Sequence, residues 1–308
     1  MPSSPPQVQF VPGMTNRPEF GEMFGGFLLE FGGQNILVDC GTVTGGPSLV
    51  ANLKAILGQK PLDLVYLTHA HLDHSGGLGE IFKAYPKALA VCHAKGLAHL
   101  AKPERLWLST KEVMGELADM YGQPRPVDPT RLIPHDQYES PGLKILLTPG
   151  HAAHHLSYRF GDLLFAGEAV GCPYYSGAQF HCRPATPPRY FPETTLASLD
   201  LLDHEPVSLA YFGHTHEIGP LKPTISAYRR QLKLWDEILK PDYLAAPQDV
   251  DLKELAITLT EGLFERDPDL RPLLALPAEA LGVEKYFMRN CVDGFLGYYQ
   301  ELSRKTSA

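Results

Sequence analysis

The chain has 308 residues, enough for one large domain or two ordinary ones, and its hydrophobic content of 44% is ordinary for a globular protein. No stretch approaches the ~20 apolar residues of a bilayer-spanning helix, and the net charge of −8 argues against an exposed nucleic-acid-binding surface. The five cysteines form no CxxC pair and the N-terminus lacks the pattern of a signal peptide, which together predict a cytoplasmic protein with reduced thiols.

Strand and helix patterns alternate in the first part of the chain. After a Pro- and Gly-rich lead-in over residues 1–21, which we expect to be extended, two apolar runs joined by Gly32-Gly33 predict a β-hairpin. Helical spacing over residues 48–57 ends at Gly58, and the apolar run after it predicts a buried strand. The strands of this part are predicted over residues 25–31, 35–41 and 62–67.

Short apolar strands continue through the middle of the chain. Gly161-Asp162 predicts the turn of a second hairpin, residues 94–140 are irregular with helical patches, and residues 171–192 are predicted to form a loop. The strands are predicted over residues 88–93, 144–148, 156–160, 163–166 and 207–212, and a helix over residues 194–202.

After Pro223 only helical periodicity remains. Helices are predicted over residues 224–239, 249–265 and 278–303. We therefore expect two domains, a strand-and-helix domain over residues 1–223 and a C-terminal helical extension over residues 224–308.

A histidine-rich loop follows the predicted strand over residues 62–67. It holds four potential metal ligands within six residues, namely His69, His71, Asp73 and His74. A rigid sheet holds the base of such a loop, so several of its side chains can point at one position. A polar loop with surface histidines is the ordinary alternative, but this spacing favours a metal site. Imidazole and carboxylate ligands suit zinc, iron or manganese.

Three further potential ligands follow other predicted strands. They are His151 in Thr148-Pro149-Gly150-His151, Glu168 in Ala166-Gly167-Glu168, and His214 in Phe212-Gly213-His214. Strand ends that converge at one edge of a packed domain can build a pocket for two metal ions. We therefore predict that these side chains join the histidine-rich loop in one site.

In order and spacing, these motifs resemble those of the metallo-β-lactamase superfamily. The resemblance covers residues 21–223. It implies an α/β (α+β) fold, the four-layer αββα metallo-β-lactamase sandwich, in which helices flank two sheets and the metal ions lie at one edge. The C-terminal helical extension follows this sandwich.

The resemblance also implies a role for each ligand. His69, His71 and His151 correspond to the ligands of a first metal ion, and Asp73, His74 and His214 to those of a second. Asp39 matches an acidic position that the family uses structurally. The bridging position usually holds aspartate, whereas this chain has Glu168. The longer side chain can bridge both ions, bind only one, or be displaced altogether. We expect it to favour one ion, so that the second site, held by Asp73, His74 and His214, binds its metal more weakly.

The function implied is that of a dinuclear metal-dependent hydrolase near the glyoxalase II and lactonase branch. A metal-bound hydroxide attacks a small acyl substrate, which is an ester, thioester or lactone. Asp73 is the expected catalytic residue, because it can orient the hydroxide and carry a proton. We expect two divalent transition-metal ions, zinc first, with iron or manganese as alternatives. The expected partner is a small-molecule substrate, with no nucleic acid and no membrane, and the oligomeric state stays open.

Several residues near the motifs have two possible roles. His155, like its neighbour His154, either hydrogen-bonds to a ligand or faces the substrate pocket. Tyr174 and Tyr175 are candidates for the pocket mouth, and His216 is expected to support a ligand or lie at the surface. The helical extension either contacts substrate or only packs.

Three other functions are compatible with this fold. An iron-dependent oxidoreductase of the flavodiiron type has an acid at the position of His71 and an added flavodoxin domain, neither of which is present, but a mono-iron oxygenase remains an alternative. A nuclease is disfavoured because the interval from Glu168 to His214 is too short for the inserted domain of those enzymes. A non-catalytic protein that binds a metal or a ligand is the last alternative.

Overall fold

A computed structural model describes residues 7–17, 20, 23–176, 179–216, 218–247 and 249–306, with only the backbone of residues 116, 175, 176, 179 and 306. The chain forms two compact units. The first comprises Met1–Leu147 and His154–Gly167, and the second comprises Thr148–Ala153 and Glu168–Ala308. The predicted domain boundary at residue 223 stays a prediction.

The first unit begins with six strands: β1 (Val8–Pro12), β2 (Gly25–Phe31), β3 (Gln34–Val38), β4 (Leu64–Tyr66), β5 (Leu89–Cys92) and β6 (Leu132–Pro134). They form one sheet in chain order, antiparallel from β1 to β3 and parallel from β3 to β6. The turn from β2 to β3 is the predicted hairpin. Gly32 and Gly33 have φ values of 60° and 79°, which residues with a Cβ rarely adopt.

Six helices accompany this sheet: α1 (Gly46–Leu57), α2 (Leu72–Ser75), α3 (Leu78–Ala84), α4 (Leu97–Ala101), α5 (Glu104–Met114) and α6 (Ala118–Tyr121). Leu49 and Leu53 of α1 and Ile81 of α3 belong to one apolar core with Val65 of β4. Because β3 and β4 are parallel, the loops that follow them lie at the same edge of the sheet. That edge carries Asp39 and the histidine-rich loop.

The first unit ends with three antiparallel strands: β7 (Leu143–Leu147), β8 (Leu156–Phe160) and β9 (Leu163–Gly167). The predicted hairpin of β8 and β9 is confirmed, and its turn contains Gly161 with a φ of 59°. Tyr158 of β8 is fully buried and donates a hydrogen bond from its hydroxyl to the carbonyl of Leu67 at 2.7 Å. This hydrogen bond connects strand β8 to the residue just before the histidine-rich loop.

In its described residues the second unit contains two antiparallel strand pairs and four α-helices. The strands are β10 (Cys172–Ser176), β11 (Gln179–Arg183), β12 (Leu209–Phe212) and β13 (Ile218–Pro220), paired in that order. The helices are α7 (Pro192–Asp203), α8 (Leu221–Ala245), α9 (Leu252–Arg266) and α10 (Ala278–Thr306). The last three confirm the helices predicted for the C-terminal part.

Helix α10 holds the segment of residues 184–187 at very short range. A Cβ at Gly294 would lie 1.9 Å from the carbonyl oxygen of Thr186, so only glycine fits there. The Thr186 hydroxyl donates to the carbonyl of Cys291 at 3.1 Å, and the Cys291 thiol donates to the carbonyl of Pro184 at 2.7 Å. Three consecutive contacts therefore fix this segment to one face of the helix.

The structure corrects the prediction of a loop over residues 171–192, because β10 and β11 form a hairpin within it. Pro173 obscured the strand pattern, yet proline is tolerated where a strand has a neighbour on one side only. Strands β1, β6 and β13 were also missed. Each is short and ends in a proline, and pairing with a neighbouring strand rather than local propensity stabilises it.

No helix in the described ranges combines the length and the apolar character needed to cross a bilayer. The cysteines Cys40, Cys92, Cys172, Cys182 and Cys291 are all buried and free, as the prediction of reduced thiols requires. The cytoplasmic location stays a prediction.

Candidate metal centre

His69 and His71 present two ring nitrogens to one point in the first unit. Nε2 of His69 lies 3.0 Å from Nδ1 of His71, and the two rings are nearly perpendicular. Two nitrogen ligands of a tetrahedral zinc ion lie roughly 3.3 Å apart, given zinc–nitrogen bonds of about 2.0–2.1 Å. The pair therefore has nearly the spacing that one shared ion requires.

Thr68 determines which nitrogen of His69 is available. Its hydroxyl donates to the carboxylate of Asp39 at 2.8 Å, so it can only accept from Nδ1 of His69, which lies 3.0 Å away. The proton of His69 is thus held on Nδ1, and the lone pair is on Nε2. A hydrogen bond that fixes the tautomer in this way is typical of histidine ligands of metals.

Asp39 orients His74 by the same principle. Its Oδ2 accepts from Nδ1 of His74 at 2.9 Å, so the lone pair of His74 is on Nε2, 4.0 Å from Oδ2 of Asp73. Asp39 also accepts from the backbone N–H of Thr68 at 2.8 Å, and its own φ is 60°. One buried carboxylate therefore accepts hydrogen bonds from Thr68 at the start of the histidine-rich loop and from His74 at its end.

Two side chains behind this loop hold it in place. Nε2 of His154 accepts from the backbone N–H of Ala70 at 3.0 Å, which makes His154 a support of the loop. His155 is fully buried with its ring centre 5.2 Å from that of His69. His155 therefore lies beside the predicted ligand His69, and its role stays a prediction.

In the first unit Tyr121 also contacts the site. Its hydroxyl donates to Oδ2 of Asp73 at 3.4 Å. Sequence reasoning missed this residue, since 48 positions separate it from Asp73 and no local pattern connects them.

The second unit brings together its three predicted ligands. Oε2 of Glu168 lies 3.0 Å from Nε2 of His151, and Oε1 of Glu168 lies 3.4 Å from Nε2 of His214. One carboxylate thus presents one oxygen to each histidine. Burial by itself raises the pKa of the Glu168 carboxyl, but His151 and His214 outweigh it and hold the pKa well below its ordinary value.

The backbone around these ligands is closely constrained. Nδ1 of His151 donates to the carbonyl of Ala185 at 3.2 Å, so the lone pair of the neutral ring is on Nε2. Gly150, just before it, has a φ of 156°, and a Cβ there would lie 2.8 Å from Oγ1 of Thr195. His214 itself has a φ of 61°, an uncommon conformation for a residue with a side chain. Such strained positions are frequent at functional sites.

Cys172 was not predicted as a site residue, although it follows Glu168 by only four positions. Its Sγ lies 3.5 Å from Oε1 of Glu168. The cysteine sulfur, a Glu168 oxygen and a His214 nitrogen all lie within 4.8 Å of one another.

The roles of the remaining candidates, Tyr174, Tyr175 and His216, stay predictions. The hydroxyl of Tyr174 accepts from Arg183 at 3.1 Å, and its ring stacks on that of His181. His216 is exposed. The backbone of Tyr175 lies in β10, but its side chain is outside the described part of the chain.

The donor set fits a divalent transition metal. It consists of imidazole nitrogens with fixed tautomers and carboxylate oxygens, which suit zinc, iron and manganese. Each unit, taken by itself, has its ligand atoms at the short separations found between ligands of one ion.

Comparison with known proteins identifies the family. The profile described as the metallo-beta-lactamase superfamily matches residues 27–214, more than half of the 308 residues. The chain belongs to this superfamily. The fold prediction is therefore confirmed, namely the metallo-β-lactamase sandwich with C-terminal helices. Members typically bind divalent metal ions and are generally hydrolases.

The proteins similar to this chain include two curated relatives and a solved structure. The metallo-beta-lactamase fold-containing protein ST1585 of Sulfurisphaera tokodaii is 32% identical over 41% of this chain and 50% of its own length. Thioesterase pkgB of Emericella nidulans is 28% identical over 67% of this chain and 49% of its own length. The chain thus spans about half the length of these two relatives.

The crystal structure of ST1585, a metallo-beta-lactamase superfamily protein from Sulfolobus tokodaii, has a TM-score of 0.64 and 22% identity. The comparison covers 87% of this chain and 100% of that chain. At this identity the similarity establishes the fold alone.

Proposed function

We propose that this protein is a dinuclear metal-dependent hydrolase of a small acyl substrate, an ester, a thioester or a lactone. The observation that carries the proposal is the placement of Glu168, whose two oxygens lie 3.0 Å from His151 and 3.4 Å from His214. The family resemblance assigns these two histidines to different metal ions. A carboxylate with one oxygen toward each of them is suited to bridging two ions.

In this proposal the ligands are divided between two ions as the family resemblance implies. The first ion would be held by His69, His71 and His151, and the second by Asp73, His74 and His214, with Glu168 available to both. The tautomers fixed by Thr68, Asp39 and Ala185 support this assignment, because each leaves Nε2 unprotonated on the histidine that it contacts. Zinc is the first candidate, and iron or manganese are alternatives.

Bound ions of this kind lower the pKa of a coordinated water toward neutrality and polarise an acyl oxygen. The chain itself supplies Asp73, whose carboxylate orients the attacking water and accepts its proton. Tyr121 donates to Oδ2 of Asp73, which keeps that oxygen in a fixed position. Asp73 then passes the proton to the leaving group, so the carboxylate is regenerated.

The similarity to a protein named as a thioesterase supports an acyl substrate. The net charge of −8 supports a small-molecule substrate rather than a nucleic acid, and the buried free thiols support a cytoplasmic location. We propose that the protein has no membrane partner.

The test combines metal analysis and activity on one sample. Protein purified without chelator and loaded with zinc, iron or manganese in turn is assayed on a panel of esters, thioesters and lactones. We expect up to two ions per chain and turnover of at least one substrate class. His69→Ala should lower metal content and abolish turnover, whereas Asp73→Asn should keep the fold and lose turnover.

His204→Ala is the matched control, because His204 is an exposed histidine whose Nδ1 contacts the carbonyl of Asp200 on its own helix end. It should leave metal content and turnover unchanged. Protein that takes up none of the three metals would refute the proposal. Full metal loading without hydrolysis of any panel member would favour a binding protein instead, and oxygen consumption by an iron-loaded sample would favour an oxidoreductase.

A further inference from the structure

Cys172 is a buried thiol beside a predicted metal ligand. It begins strand β10, is 1% exposed, and has its Sγ 3.5 Å from Oε1 of Glu168. The same oxygen of Glu168 lies 3.4 Å from Nε2 of His214. A sulfur, an oxygen and a nitrogen from three different residues therefore surround one small volume within the second unit.

These separations match those of ligands that share one ion. With bonds of about 2.3 Å to sulfur and 2.0–2.2 Å to oxygen and nitrogen, tetrahedral geometry places sulfur roughly 3.6 Å from oxygen, and nitrogen roughly 3.4 Å from oxygen. The observed 3.5 Å and 3.4 Å agree with both values. All three ligand atoms lie within 4.8 Å of one another.

The other cysteines of the second unit have different acceptors. The thiol of Cys182 donates to the carbonyl of Val170 at 3.4 Å, and that of Cys291 donates to the carbonyl of Pro184. Only Cys172, among the described cysteines, belongs to a group of ligand atoms that could hold a metal ion.

We propose that Cys172 is an additional ligand of the ion that His214 and Glu168 bind. This inference rests on the proposed metal centre and adds a ligand beyond the set implied by the family resemblance. On binding, the S–H bond breaks, the proton goes to the solvent, and the sulfur lone pair forms the bond to the metal. A thiolate is a soft ligand, so this site favours cadmium, cobalt and zinc over manganese.

Cobalt(II) is the probe that tests this assignment, because a thiolate ligand adds a near-ultraviolet charge-transfer band that imidazole and carboxylate ligands do not produce. Purified full-length protein is titrated with cobalt, the visible absorption and elemental analysis report bound metal, and the near-ultraviolet band reports sulfur. We expect the band in the wild type and its loss in Cys172→Ser, with cobalt still bound.

Cys182→Ser is the matched control, since Cys182 is equally buried and its replacement hydroxyl can keep the hydrogen bond to Val170. It should retain the band. As a second readout, Cys172→Ser should weaken cadmium binding about tenfold or more. Tenfold is the lower end of the loss of metal affinity seen when a residue around a metal site is replaced. Manganese binding should stay nearly unchanged, because manganese prefers oxygen ligands.

The failures of the two proposals are distinguishable. Bound cobalt without a charge-transfer band, or a band that persists in Cys172→Ser, overturns the role of Cys172 and leaves the metal centre intact. Failure of the wild type to bind cobalt, zinc, iron or manganese overturns the metal centre and, with it, the role of Cys172. If Cys172→Ser does not fold, Cys172→Ala takes its place, and retention of the band there contradicts the proposal.

Discussion

Oδ2 of Asp39 accepts a hydrogen bond from Nδ1 of His74 at 2.9 Å, although 35 positions separate the two residues. The contact connects the loop after β3 to the loop after β4. Through it, a residue outside the predicted ligand set determines which nitrogen of His74 carries the lone pair.

Replacement of Asp39 by asparagine should weaken zinc binding by about 10- to 100-fold. The amide nitrogen of asparagine would face Nδ1 of His74 and donate to it, so the proton of His74 would move to Nε2 and block the ligand position. The fold should survive, because asparagine tolerates a φ of 60° better than most residues. Zinc competition with a chelator measures the change.

Asp63→Asn is the control for this variant. Oδ2 of Asp63 also accepts a backbone hydrogen bond, from Asn35 at 2.8 Å, but Asp63 contacts no candidate ligand in the described part of the chain. The zinc affinity of Asp63→Asn should equal that of the wild type. An Asp39→Asn protein with wild-type affinity would show that Asp39 does not control the tautomer of His74.

Two substitutions of Glu168 separate the effect of charge from that of reach. Glu168→Asp keeps the charge but withdraws the carboxylate by about 1.5 Å, the length of one carbon–carbon bond. The shorter side chain can then no longer present one oxygen to His151 and the other to His214. We expect one zinc ion per chain after dialysis. Glu168→Gln keeps the length of the side chain but removes its charge, and it should weaken the binding of both ions. Zinc content measured during dialysis reports both effects, and two tightly held ions in Glu168→Asp would contradict a bridging role.

His181 should make the folded state sensitive to acid. Burial and the neighbouring Arg183 lower the pKa of His181 to about 4, whereas the unfolded chain has the ordinary value of about 6.5. Between these values the unfolded state binds more protons, so stability is present above pH 6.5 and is lost as the pH falls toward 4. The contribution is about 3 kcal/mol over the full interval.

Urea denaturation of the metal-free protein at pH 7 and pH 5 tests this expectation. The loss of stability between the two pH values should be smaller in His181→Phe than in the wild type, because phenylalanine cannot titrate. His204→Phe, at an exposed histidine, should behave like the wild type. An equal loss in wild type and His181→Phe would rule out His181 as the source.

Gly294→Ala should disturb the metal centre from a distance. The added methyl group would meet the carbonyl oxygen of Thr186 at 1.9 Å, so the segment of residues 184–187 must move. That segment contains Ala185, the hydrogen-bond acceptor of His151. We expect lower zinc affinity with the helices intact by circular dichroism. Gly297→Ala on the same helix, where a Cβ meets nothing within 4 Å, should retain wild-type affinity.

The sequence predicted the part of this protein that local patterns encode. The histidine-rich loop was predicted as a metal site because its candidate ligands are adjacent and follow an apolar strand, and His151, Glu168 and His214 were predicted as ligands because each follows a strand as well. Turns such as Gly32-Gly33 were predictable for the same reason, since the glycines themselves determine the backbone conformation.

What the sequence could not predict depends on residues that are distant in the chain. Two contacts follow from packing alone, namely that of Tyr121 with Asp73 and the hydrogen bond of Thr186 to Cys291 in α10. Neither corresponds to a local pattern in the sequence. The hairpin of β10 and β11 was missed because Pro173 interrupts the pattern, although Cys172 within it contacts Glu168.

The grip of α10 on residues 184–187 has a consequence for biosynthesis. The ring of His151 is oriented by Ala185, and Ala185 lies in a segment that the helix Ala278–Thr306 holds. A ribosome makes His151 well before it makes that helix. The orientation of His151 is therefore completed only after residues 278–294 have been synthesised, so a nascent chain that ends between His151 and that helix should bind metal more weakly than the folded protein.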